Sequence, residues 1–199
     1  MSPFTQVLDV KLTDRDRTSV VLRPFYALPA SIYLSFYAGL GFAGAMFAWL
    51  WILLTGRYPA EVYAFNVKVV RMLGRYFSYL LIAHDVSPPL DGDPSDAYPL
   101  RVELPPPPAH YDRRAIALRP FTGIPVLIRG VITYVIGHLY AIVGTLVILV
   151  TGELPASVAR PLRDAVAELT RMHAHVLLMT DEPLALPPSQ AEPARAISG

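Results

Sequence analysis

The sequence predicts an all-α membrane protein made of two tandem repeats. Each repeat is a long apolar transmembrane or re-entrant helix followed by an amphipathic helix, with a short strand before the apolar one. Three observations carry this expectation: two long apolar runs, a self-match at an offset of 96 residues, and 53% hydrophobic against 17% charged residues in a chain of 199. Apolar content lies above, and charge below, the usual averages for soluble domains.

Composition also limits what the chain can be. Its 17 basic and 16 acidic residues leave a formal net charge of +1, which gives no electrostatic footprint for nucleic acid. There is no cysteine, so disulfides, thiolate-bound zinc, iron–sulfur clusters and thiol nucleophiles are excluded.

The first element is the alternating stretch Val7 to Leu12, which fits a half-buried strand and is echoed by Leu100 to Leu104. From Ala27 to Leu54 there follow 28 residues without a charged side chain. As a helix this run would be roughly 42 Å long, against a hydrocarbon core of about 30 Å. Aromatic residues flank it, Phe25 and Tyr26 on one side and Trp49, Trp51 and Tyr58 on the other, as expected at headgroup depth. The second run, Gly123 to Val150, is interrupted by Arg129 and His138. Both end at Thr-Gly, where glycine can close a helix in the left-handed conformation, and a proline three residues later suits the start of the next helix. That next helix, from Pro59 to Ala83 or from Pro155 to Met179, mixes apolar and basic positions and reads as interfacial or as packed on the apolar helices.

Sliding the chain on itself by 96 positions aligns Arg23-Pro24-Phe25 with Arg119-Pro120-Phe121, Pro29 with Pro125, Thr55-Gly56 with Thr151-Gly152, and Asp85 with Asp181. About a third of positions 16–85 are identical in the second copy. The reading is a first membrane repeat at 1–87, a Pro/Asp-rich linker at 88–98, a second repeat at 99–186 and a disordered tail at 187–199. Basic residues are spread almost evenly around the two runs, so the positive-inside comparison sets no orientation. Two main membrane helices with two interfacial amphipathic ones are favoured over re-entrant hairpins and over a return crossing by the helix after Pro59.

The pattern Tyr98-Pro99-Leu100-Arg101-Val102-Glu103-Leu104-Pro105, then Tyr111 with Asp112-Arg113, and the helix ending in Thr-Gly-Arg-Tyr-Pro at Thr55 to Pro59 resemble the bacterial family called domain of unknown function 4389. The resemblance implies membrane association and the repeat boundaries, and it carries over no catalytic residue. The second copy departs from it with Thr-Gly-Glu-Leu-Pro at Thr151 to Pro155.

Three sets of residues stand out. Gly41 with Ala45, Gly44 with Ala48, and Gly137 with Ala141 stand four residues apart, with Gly144 on the same stretch, which lets helices approach closely; the expected partner is the other apolar helix or a second subunit. Lys68, Arg71, Arg75, Arg160, Arg163 and Arg171 form basic faces suited to anionic lipid, with Arg129, Arg57, Tyr58, Trp49 and Trp51 joining them at the lipid interface. His138 is the one ionisable group near the centre of an apolar run, open to proton transfer or ligand contact, with hydrogen bonding to Tyr134 as the plain alternative. His173 and His175 lack the spacing of a helical metal pair, and no phosphate loop or nucleophile elbow occurs, so neither a metal nor a cofactor is expected.

These observations lead to a non-enzymatic integral protein of the bacterial inner membrane. It would be an accessory subunit or a membrane-organising scaffold, in contact with anionic lipids and assembled as a homo-oligomer or within a larger membrane complex. The alternative is a small oligomeric transporter or lipid-binding component.

Overall fold

Asp16 starts the first long helix: its side chain accepts hydrogen bonds from the N–H groups of Thr18 at 3.0 Å and Ser19 at 3.1 Å, satisfying two of the donors a helix start leaves open. Asp112 does the same for the third helix through Arg114 at 2.9 Å. The computed structural model describes residues 4–180. Its elements run β1 (Thr5–Leu8), α1 (Arg17–Thr55), α2 (Ala60–Leu80), β2 (Leu100–Glu103), α3 (Arg113–Thr151) and α4 (Ala156–Val176). The expected tail at 187–199 lies outside the described residues.

The helices α1 and α3 have 39 residues each, and α2 and α4 have 21 each. At 1.5 Å per residue the long pair is about 58 Å from end to end. Both begin ten residues earlier than the apolar runs and pass through two prolines, Pro24 and Pro29 or Pro120 and Pro125. The charged first turns belong to the helix because their long side chains find partners elsewhere in the chain. Arg23, for instance, reaches the end of α2 and is buried there. Gly56 at φ +76° and Gly152 at φ +79° end the two long helices in the left-handed conformation, as the Thr-Gly pairs lead one to expect.

The four helices form a closed ring. The α1 helix neighbours α2, α2 neighbours α4, α4 neighbours α3, and α3 returns to α1. The pair α1 and α3 makes one layer, and α2 with α4 makes the next. The strands are shorter than the sequence suggests, and they pair with each other antiparallel, Thr5 opposite Glu103 and Leu8 opposite Leu100. This ribbon lies against the second layer, where Leu100 packs at Gly74.

Two backbone hydrogen bonds tie the halves together reciprocally: Arg15 N–H to the Gly152 carbonyl at 3.0 Å, and Tyr111 N–H to the Gly56 carbonyl at 2.9 Å. Each thus joins the start of one long helix to the end of the other, so α1 and α3 run antiparallel.

Both short helices end with a non-glycine residue at positive φ, Ile82 at 51° and Leu178 at 61°. At the first, Ala83 N–H bonds the Ser78 carbonyl and Ile82 N–H the Tyr79 carbonyl, a closing pattern in which glycine is the usual choice. A β-branched residue there is strained by about 1–2 kcal/mol. Ile82 is nevertheless held, because its side chain fills the notch at Gly144: a β-carbon on Gly144 would stand 2.6 Å from Ile82 Cδ1 and 3.0 Å from Leu154 Cδ1. Gly144→Leu is therefore expected to destabilise the fold by about 1–3 kcal/mol. Gly39→Leu, with nothing within 4 Å of the added carbon, should leave it unchanged or slightly firmer. Thermal unfolding midpoints of the two variants in detergent compare them directly.

Candidate functional site

Buried residues of α1 recur as Val20, Arg23, Ala27, Leu34, Gly41, Ala45, Ala48 and Ile52, a single stripe at helical spacing. The remaining arc, roughly 200° at 100° per residue, faces outward. It is apolar nearly throughout, with Phe25, Ile32, Phe36, Phe47, Leu50 and Leu54 exposed. On α3, Phe121, Ile128, Val131, Val135, Leu139 and Val150 do the same. These are the two helices of the described residues long and apolar enough to cross a membrane, and only 22% of each apolar window is buried inside the fold. A core helix of a soluble protein would be mostly covered.

The small residues meet a different partner from the one expected. A β-carbon on Gly41 would lie 3.0 Å from Asn66 Oδ1 and 3.3 Å from Val69, and one on Gly44 would lie 3.1 Å from Val62, all on α2. In the other half, a β-carbon on Gly137 would lie 3.1 Å from Ala165 of α4 and 3.2 Å from Leu81. Ala45, Ala48 and Ala141 are buried in the same stripes. The stripes thus receive the amphipathic helices. Antiparallel α1 and α3 meet at their ends, where Trp49 Nε1 donates to the Ile116 carbonyl at 2.8 Å.

The basic face of α2 also has an occupant within the chain. Arg75 is buried and pairs with Asp91 at 3.2 Å, and it donates to the Asp93 carbonyl as well. Lys68 pairs with Asp93 at 2.8 Å, and Arg71 donates to the Val102 carbonyl at 3.1 Å. The acidic linker therefore takes the place expected for anionic lipid, and Arg75 is withdrawn from any surface.

Tyr58, expected at headgroups, is buried. Its hydroxyl donates to the Leu177 carbonyl at 3.0 Å and accepts from Asn66 Nδ2 at 2.9 Å. Arg129 does not reach outward as expected, but pairs with the buried carboxylate of Glu168 on α4 at 2.8 Å. Arg171 sits over the Phe4 ring, Arg163 is half-buried, and Arg160, Arg57 and Trp51 stay exposed.

Sequence reasoning missed one cluster. Asp85, just past α2, binds Arg15 at 3.0 Å, Lys11 at 3.2 Å and Arg23 at 3.3 Å, so three cations surround one carboxylate. Arg15 is fully buried and also donates to the carbonyls of Ile82, Ala83 and Lys11. The alignment of Asp85 with Asp181 was the available signal, but a 62-residue separation from Arg23 hides the pairing. Burial raises the Asp85 carboxyl, but Arg15, the Asp16 N–H and Lys11 outweigh it and hold the group below the usual carboxylate range. The neighbouring His84 ring is pushed down to about 3 by burial and by the Arg23 and Arg15 charges. It is therefore neutral, bonded to Ser78 Oγ at 3.0 Å and set edge-on to Tyr98.

His138 bonds the Tyr134 carbonyl through Nδ1 at 2.8 Å, and its ring lies 4.1 Å from the Tyr134 ring. His173 bonds the Leu169 carbonyl. Among the described residues no group of three or more His, Cys, Asp or Glu side chains is arranged to hold a metal ion.

Residues 17–90, which hold α1, α2 and the start of the linker, match the family model described as "Domain of unknown function (DUF4389)". No curated protein matches the chain, and no solved structure matches it.

Two outcomes follow from the Asp85 cluster. Asp85→Asn leaves buried guanidinium groups without a counter-charge and should cost about 3 kcal/mol at neutral pH, read from denaturation midpoints. Acid should weaken the fold in two stages. The unfolded chain protonates His84 below about pH 6.5 while the folded one resists down to about 3, so stability falls across that window. Below about pH 4 the depressed Asp85 carboxyl adds a further loss as it too is protonated. His84→Gln should flatten the decline between pH 6.5 and 4 in thermal midpoints recorded against pH.

Proposed function

We propose that the chain is a non-enzymatic integral membrane protein, an accessory subunit or membrane-organising scaffold of the bacterial inner membrane. In this reading the outward arcs of α1 and α3 lie among acyl chains. The observation that carries it is the 22% burial of two windows as hydrophobic as these. Such a surface in water would expose far more contiguous apolar area than a soluble monomer tolerates. The match of residues 17–90 to an uncharacterised family is compatible with this role and adds no chemistry.

The chain also reads as two copies of one helical hairpin. Equal helix lengths, Asp caps and Gly ends at matching positions, and the reciprocal bonds to Gly56 and Gly152 support that view. Polar contacts among the described residues serve to join elements, as at Asp85, Arg75 and Arg129, which suits a scaffold. The outward apolar arcs leave room for a second copy or a larger complex beside the lipid.

Photolabelling tests the reading. A lipid-phase carbene probe should tag residues around Met46 and Ile136, both exposed, and the protein should resist extraction by alkaline carbonate. Absence of tagging in folded, vesicle-bound protein, or release by carbonate, would refute it.

A further inference from the structure

Resting on that membrane reading, we infer that α1 and α3 lie flat within one leaflet and do not cross the bilayer, so that the partner of their outer face is the acyl layer beneath a single sheet of headgroups. Three placements carry this.

The first is the course of the linker. It leaves the end of α2 near Asp85 and returns along the length of that helix. It passes Arg75 at Asp91, Lys68 at Asp93, Arg71 at Val102 and Tyr63 at Pro105, and arrives at Gly56 with Tyr111. The polar linker is thus laid lengthwise along α2, and adds charge beside the middle of the helices to the charges at their ends.

The second is the level of the charges. Asn66 and Val69 touch Gly41, so the ion pair of Lys68 with Asp93, both about half exposed, stands beside the middle of α1. In the other half Ala165 touches Gly137, which sets Arg163 and Asp164 beside the middle of α3. Standing upright, the protein would put this ion pair and two further charges near the bilayer centre, where hydrocarbon solvates charge poorly. Lying flat, it puts them in water.

The third is length. The outer apolar arc of α1 runs from Phe25 to Leu54, roughly 44 Å at 1.5 Å per residue. An upright helix would need a tilt of about 45° to fit a core of about 30 Å, beyond the usual range. A flat pair of helices needs only the depth of one helix layer, within half that core, with α2 and α4 at headgroup level 8–10 Å above.

The absence of native cysteine makes the test direct. Single cysteines are placed in the full chain at Thr13, Arg57 and Asp96, all exposed, and challenged with an impermeant maleimide in sealed vesicles of one orientation. All three should react from the same side. Reaction of Thr13→Cys and Arg57→Cys from opposite sides, with carbonate resistance kept, would overturn the flat placement and leave the membrane reading standing. Loss of carbonate resistance would end both. Spin labels at Phe25→Cys, Phe36→Cys and Phe47→Cys give an independent measure: equal depths within about one helical turn are expected, and a profile passing through the bilayer centre refutes the proposal.

Discussion

Close contact at the glycine and alanine stripes is what the rest of the fold depends on. Gly41 and Gly44 let α2 settle on α1, and Gly137 and Gly144 let α4 and the Leu81–Ile82 corner settle on α3. Side chains of ordinary size would push the layers apart. Because a stripe so narrow is enough to seat a neighbour, most of each long helix is left facing out, and its large apolar side chains must find a medium other than the protein. The strained backbone at Ile82 belongs to the same contact: the local cost is offset by packing into a space that glycine leaves open.

Polar groups are arranged by the opposite rule. Where a guanidinium is buried, a carboxylate or several carbonyls come with it, as at Arg15, Arg75 and the end of Arg23. Three cations on Asp85 gather the segment before α1, the first turns of α1 and the end of α2 into one junction. The acidic linker performs a similar task along the face of α2. The chain thereby separates into an apolar layer of long helices, a mixed middle layer and a polar cover.

Much of this was legible in the residues. The apolar runs located α1 and α3, the Thr-Gly pairs fixed their ends at Gly56 and Gly152, and helical periodicity after Pro59 and Pro155 gave α2 and α4. What stayed hidden were contacts between distant positions. The early start of α1 depends on Arg23 meeting Asp85, and the pairing of Thr5–Leu8 with Leu100–Glu103 joins segments almost a hundred residues apart. Small-residue spacing announces close approach but does not name the approaching helix. A basic helix face looks the same whether it awaits lipid or an acidic stretch twenty residues downstream, and here Asp91 and Asp93 occupy it.

The reciprocal bonds at the helix ends bear on how the chain matures. The carbonyl of Gly56 waits for Tyr111, and the N–H of Arg15 waits for Gly152, so the first hairpin leaves the ribosome with two main-chain groups uncapped. Neither half can complete its termini alone, and the earlier one must stay open through the synthesis of about seventy further residues. Until the counterpart arrives, those two groups must find other hydrogen-bond partners.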